Sequence, residues 1–323
     1  MTHSTFLRLG CAQIVGHDDQ MAMNPGPLPD VIPPGDLMRD TEVVAVPGIA
    51  GRYSLVLPQA WRVFYAFGGA TLATAIRAAV AELARDDLQL ISADATYCQA
   101  VPCGPLACAV EVLRSGRRGA QVQVRLWATD EPRSDPRADL LVTVVFGSRD
   151  AASPYHLVGA GFPSDVPGPE DCAVPARPDV ETPFDNIPYH HQTEWRHGLG
   201  HAPWEPDVAG GNDPRTVTWF RFLQPPLLDD GSWCDAALAV PGDMLAPAIV
   251  EGVGRARGYF LVVTMQPSIQ FFAPMRGTWL CQDTRALHVS GGFATGSVNL
   301  WSEDRTLVAS ATQTAMLTPI QPG

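Results

Sequence analysis

Ser92-Ala93-Asp94-Ala95-Thr96-Tyr97-Cys98-Gln99-Ala100-Val101-Pro102 and Thr264-Met265-Gln266-Pro267-Ser268-Ile269-Gln270-Phe271-Phe272-Ala273-Pro274 are the two stretches on which the fold turns. Each starts on a hydroxyl residue and reaches a proline ten residues later, then runs through a glycine-bearing hairpin to a Leu-Trp pair. That pair is Leu126-Trp127 in one half and Leu300-Trp301 in the other. Self-similarity of this kind points to one structural unit made twice.

Outward from the first stretch, Leu72, Ala75, Ile76, Ala79, Val80 and Leu83 recur at helical spacing after Gly68-Gly69. Ala70, Ala73, Ala78 and Ala81 keep the other faces small, so this helix can be buried all round. Val-, Leu- and Ile-rich segments at about 90–98, 106–114, 120–128 and 139–147 read as strands, with Arg114-Ser115-Gly116-Arg117 as a hairpin turn. The second half repeats the order. Its helix is expected around Ser232–Val240, with Asp229, Asp230 and Ser232 as capping candidates, and its strands at about 258–272, 278–288, 293–302 and 306–317. One helix wrapped by an antiparallel sheet, made twice, is an α+β architecture in which each sheet buries one face on its own helix.

Proline marks the boundaries. Residues 1–40 carry Pro25, Pro27, Pro29, Pro33 and Pro34 with little apolar periodicity and read as an extended arm. Residues 151–190 carry Pro163, Pro167, Pro169, Pro175, Pro178 and Pro183 and read as a linker. The two units are then 41–150 and 191–323.

The 323 residues, 46% hydrophobic, suffice for two cores. The net charge of −12 and the lack of a basic run argue against nucleic acid as a partner. Neither a secretory N-terminus nor an uninterrupted apolar run of bilayer length is present, so a cytoplasmic protein without a membrane partner is expected. Seven cysteines, Cys11, Cys98, Cys103, Cys108, Cys172, Cys234 and Cys281, lack metal-ligand spacing and read as free thiols. All 22 basic residues are arginine, which removes lysine chemistry and leaves guanidinium as the partner for a phosphorylated ligand. His190, His191, His197 and His201, with Glu194 among them, are interrupted by Gly198 and Gly200 and do not share a helix face; no metal or cofactor is expected.

From about Gly51 onward the sequence resembles the acyl-CoA thioesterase II family of tandem hotdog proteins. The likeness rests on Gly68-Gly69, on Val110-Glu111-Val112-Leu113-Arg114-Ser115-Gly116-Arg117, on Asp243, on Thr264 through Pro274, and on Leu307-Val308-Ala309-Ser310-Ala311-Thr312-Gln313. The resemblance implies a double hotdog, an acyl-CoA or acyl-pantetheine substrate, association into a homo-oligomer, and a water held by Asp243, Thr264 and Gln313.

That triad suits the chemistry. A carboxylate can take a proton from water while a hydroxyl and an amide orient it, which requires no covalent step and fits a chain without a Gly-x-Ser-x-Gly elbow. Gly68-Gly69 at a helix N-terminus would offer backbone N–H groups to the carbonyl oxygen as negative charge develops there. In the first repeat Ser92 alone remains of the three, with Gly147 read as the counterpart of Gln313. Other readings stand beside these: Pro241-Gly242-Asp243 as an ordinary turn with Asp235 as the carboxylate instead, Thr264 as a plain strand residue, and the glycine pair as a packing device. The acyl tail is expected against Phe271, Phe272 and Trp279. Alternatives to hydrolysis are a non-catalytic acyl-thioester-binding module and a dehydratase or hydratase built on His288.

Overall fold

In the computed structural model of the chain, residues 31–320 are described, except 33, 130–137, 151, 176–181, 185–186, 203, 206–207 and 257. The first half contains helical turn α1 (Leu37–Asp40), strands β1 (Val44–Ala45) and β2 (Arg52–Leu57), helix α2 (Gly68–Leu83), and strands β3 (Gln89–Tyr97), β4 (Gly104–Ser115), β5 (Gly119–Ala128) and β6 (Leu140–Gly147). The second contains β7 (Thr193–Leu199), β8 (Arg215–Phe222), helices α3 (Ala239–Gly242) and α4 (Ala246–Val253), and strands β9 (Phe260–Phe271), β10 (Leu280–Ser290), β11 (Phe293–Ser302) and β12 (Leu307–Pro319). This is the tandem hotdog: a helix against an antiparallel sheet, twice.

The two sheets are continuous. Their strand order is β1-β2-β4-β5-β6-β3-β9-β12-β11-β10-β8-β7, and the join is the pairing of β3 with β9 through Ser92↔Gln270, Ala93↔Ile269 and Asp94↔Ser268. The two repeated stretches are therefore neighbours at the centre of the molecule. Strand β6 alternates buried and half-buried residues along its length, turning Val142, Val144 and Phe146 toward α2. The helix buries nearly every side, because alanine on its flanks lets sheet and second repeat approach closely.

Several expectations need correction. The second helix is not one rod over Ser232–Val240. A 3-10 turn at Asp235–Leu238 leads into α3, the chain breaks at Asp243, and α4 follows to Val253. Asp230 accepts hydrogen bonds from Ser232 in a turn, while Cys234 occupies the N-cap without a side-chain bond. Asp235–Val253 is long and apolar enough to cross a membrane, by length and composition alone, but most of it is buried inside the fold. Strands β1, β2, β7 and β8 were not expected. β8 hides its alternation because both faces are covered, with Val217 and Trp219 packing under Phe162, Val166 and Cys172 of the connecting segment.

That segment is thus more than a spacer: Trp219 Nε1 donates to Pro167 O at 2.8 Å. Nor is the N-terminal arm loose throughout. Leu37 is buried, and Asp40 accepts from Trp61 Nε1 at 2.9 Å, while residues 1–30 lie outside the described residues.

Candidate active site

The break between α3 and α4 positions the key carboxylate. Pro247 lies in the first turn of α4, where it needs no N–H donor but cannot extend an earlier helix backwards. The interruption would orphan the Pro241 carbonyl, and buried Gln282 of β10 satisfies it, Nε2 donating at 2.8 Å. Asp243 then caps α3 with φ −98° and ψ 48°, and its side chain turns into the interior at 8% exposure.

Thr264 and Gln313 meet it there. Thr264 Oγ1 donates to Asp243 Oδ1 at 2.8 Å, and Gln313 Nε2 donates to the same oxygen and lies 3.4 Å from Thr264 Oγ1. A bulge in the β9–β12 ladder falls between Thr314 and Ala315, opposite Gln266 and Thr264, and re-aims the hydroxyl that a regular strand would place otherwise. Gln313 is 3% exposed, and its Oε1 has no hydrogen-bond partner among the described residues.

The first repeat contributes backbone rather than side chains. The N-terminus of α2 abuts the carboxylate, and the Gly69 N–H donates to it. A Cβ on Gly68 would strike Asp243 Oδ2, and one on Gly69 would lie 2.5 Å from Val240 Cα. The glycine pair therefore serves both readings given above: it lets α2 cross α3 at backbone distance, and it delivers a helix N-terminus to the site. Tyr97 Oη donates to Gly68 O at 2.6 Å and lies 3.0 Å from Thr71 Oγ1, tying that helix end to β3.

Burial pushes the Asp243 carboxyl up to about 7, against the hydrogen bonds from Thr264, Gly69 and Gln313, which favour the ionised form. The phenols of Tyr65, Tyr97 and Tyr189 are pushed up by burial and then by the Asp243 charge. A carboxyl titrating near neutrality inside a cleft is what proton transfer requires.

A cavity of about 290 Å³ opens over these groups, walled largely by apolar side chains including Phe64, Phe67, Tyr189, Trp195, Val263 and Met316. Phe271, Phe272 and Trp279 do not line it. Phe271 borders a different cavity, Phe272 is 41% exposed, and Trp279 packs with Trp219 and Trp301, with the guanidinium groups of Arg196 and Arg221 over its ring. Asp235 lies in that other cavity, of about 580 Å³, beside Arg149, with its carboxyl raised by burial and no contact to Thr264 or Gln313 among the hydrogen bonds of the described residues.

The strand register corrects the repeat alignment. Matching the bulge between Thr264 and Gln266 in β9 to that between Leu90 and Ser92 in β3 makes Ala93, which faces Val144, the counterpart of Pro267, which faces Gln313. Val144 and not Gly147 holds the equivalent place, and Leu90, not Ser92, stands where Thr264 does. His288 is exposed near the end of β10, away from the cavity. Among the described residues no group of three or more His, Cys, Asp or Glu side chains could hold a metal. Glu194 is engaged by Arg196 and Arg221, and His201 Nδ1 lies 2.8 Å from Glu251 Oε1. The six described cysteines are free.

Sequence reasoning missed Tyr97, Gln282 and Tyr189. Tyr97 sits inside the repeated stretch, five residues after Ser92, and that position was its one available signal.

Residues 57–147 match the family model for the N-terminal domain of acyl-CoA thioesterases, and residues 169–317 match the model for their C-terminal domain. The chain belongs to the acyl-CoA thioesterase II family. Solved structures agree on the fold of this family member. Acyl-CoA thioesterase II TesB2 from Mycobacterium marinum superposes with a TM-score of 0.67 at 17% identity, over 88% of this chain and 99% of that one. A conserved hot dog protein of unknown function from Alicyclobacillus acidocaldarius gives 0.69 at 20% identity, over 88% and 98%. The tesB protein of Mycobacterium avium subs paratuberculosis gives 0.66 at 16%, over 88% and 98%. No curated protein matches the chain by sequence.

Proposed function

We propose that the protein hydrolyses acyl thioesters of CoA or of a pantetheine carrier to the free acid and the thiol. The observation that carries this reading is the convergence of Thr264 and Gln313 on one oxygen of Asp243, at the N-terminus of α2 and beside an apolar cavity.

In this mechanism the thioester carbonyl lies against the α2 N-terminus with its acyl group in the cavity. The Asp243 carboxylate takes a proton from water as the water oxygen bonds to the carbonyl carbon, while Thr264 and Gln313 orient carboxylate and water. The carbonyl π electrons move to oxygen. The Gly68 N–H, at the first helical position and outside the intrahelical pattern, faces that charge, and Gly69 holds Asp243 instead of the oxyanion first expected of it. The tetrahedral species collapses, the C–S bond breaks, and the departing thiolate recovers the proton from Asp243.

Thiol release from a panel of acyl-CoAs tests the reading. Release by the wild type that Asp243→Ala abolishes and Gln313→Ala cuts about a hundredfold supports it. Binding of acyl-CoA without release would instead support a non-catalytic module.

A further inference from the structure

We infer that the segment connecting the repeats sets which acyl groups the site accepts, through Phe184 closing the inner end of the cavity. The inference rests on the thioester reading above.

Strand β9 supplies the ruler. Thr264 marks the reacting centre, Met265 next to it is 38% exposed, and Cys98 and Gln99 on the same side are also exposed, so this end faces solvent. In the other direction the cavity follows β9 back through Val263, Val262 and Leu261 to Phe260. Those four residues advance about 13 Å. An acyl chain entering past Thr264 thus has about that length before the strand ends.

At that inner end the ring of Phe184 stands between the two repeats. It lies edge-on to Phe64 of the first half, with centroids 6.2 Å apart, and edge-on to Tyr259 of the second, 5.7 Å apart. The Arg255 guanidinium lies over the same ring at 5.3 Å and over Tyr259 at 4.8 Å. Phe184 is 9% exposed, Arg255 8%, and neighbouring Val250 5%, so the end is shut. Ile187 and Tyr189 of the same connecting segment continue the wall, Tyr189 stacking on Phe67 at 4.3 Å.

A cavity of about 290 Å³ lies just below the range for ligand pockets, roughly 300–1,000 Å³. Compact acyl groups fit, either medium straight chains or chains with an aromatic end that can meet ring edges. An extended palmitoyl chain is longer than the available run and must bend or stay outside.

The test compares butyryl-, octanoyl-, phenylacetyl- and palmitoyl-CoA in wild type, Phe184→Leu, Phe184→Ala and Phe64→Leu. The readout is the ratio of palmitoyl to octanoyl kcat/KM within one preparation, which a partly misfolded sample does not change. Wild type should prefer octanoyl, and Phe184→Ala should raise the ratio by about tenfold or more, the scale set by a methylene or two in an apolar pocket. The same thioesters are titrated calorimetrically into Asp243→Asn and Asp243→Asn/Phe184→Leu. If wild type releases no thiol but these titrations show the chain-length shift, the hydrolytic reading fails and the selection by Phe184 stands. If the ratio stays unchanged in both Phe184 variants, whatever Phe64→Leu does, or wild type already favours palmitoyl-CoA, the inference is overturned.

Discussion

The two repeats share a fold and differ at the place where chemistry is expected. In the first, α2 is one unbroken 16-residue helix, with Leu90 where the hydroxyl would stand and Val144 where an amide would. In the second, the helix is broken at Asp243, the strand carries Thr264 at a bulge, and Gln313 reaches across. The difference teaches a division of labour. The intact helix presents a clean N-terminus, and the broken one presents a carboxylate to it. At the break Asp243 adopts φ −98° and ψ 48°, its side chain meets the α2 N-terminus, and burial there raises its pKa.

The sharpest way to break the comparison is to remove the carboxylate. Asp243→Asn keeps shape and hydrogen-bond acceptor but no base, and kcat should fall about a thousandfold. The same variant reports on stability. The folded-state carboxyl titrates at about 7, above the usual 3.9 or so of an unfolded chain, so ionising it opposes folding. This destabilisation is absent below about pH 4, grows as pH rises to about 7, and is complete above. Asp243→Asn should therefore be more stable than wild type at pH 8, by up to about 4 kcal/mol, and indistinguishable near pH 4, measured by chemical denaturation at each pH. Gln313→Ala should lower kcat about a hundredfold, the scale for losing one preorganised hydrogen-bond donor. Gly69→Ala puts a methyl against Val240 and should cost about 1–3 kcal/mol along with activity. At the small end, Ser92→Ala should change kcat by less than about twofold; a larger loss would mean that the first repeat supplies a side chain after all.

Most of this fold was legible because strands with one buried face write their period into the sequence. Strand β11 lies where alternation put it, and β3 through β6 differ from expectation only at their ends. β8 was not legible, because the connecting segment buries its second face and removes the alternation. In the site, Gln313 was legible through the family resemblance and as an amide among apolar neighbours, costly to bury without partners; a solvent-facing place was the other reading, and the residue is 3% exposed. The Pro241-Gly242 pair looked like an obstacle to Asp243 and is instead what aims it, with Gln282 satisfying the freed carbonyl. That contact spans 41 residues and leaves no local signal. The acyl wall was misread for the same reason: Phe184 and Phe64 meet only in three dimensions.

The central claim is that Asp243, ionised, is the base that activates water on a thioester. The pH dependence of kcat/KM for octanoyl-CoA in wild type and Asp243→Asn tests it most directly. The account predicts a wild-type profile that rises with a single ionisation near pH 7 to a plateau, and a residual rate in the variant without that ionisation. A flat wild-type profile from about pH 5 to 9, or the same ionisation surviving in Asp243→Asn, would contradict it.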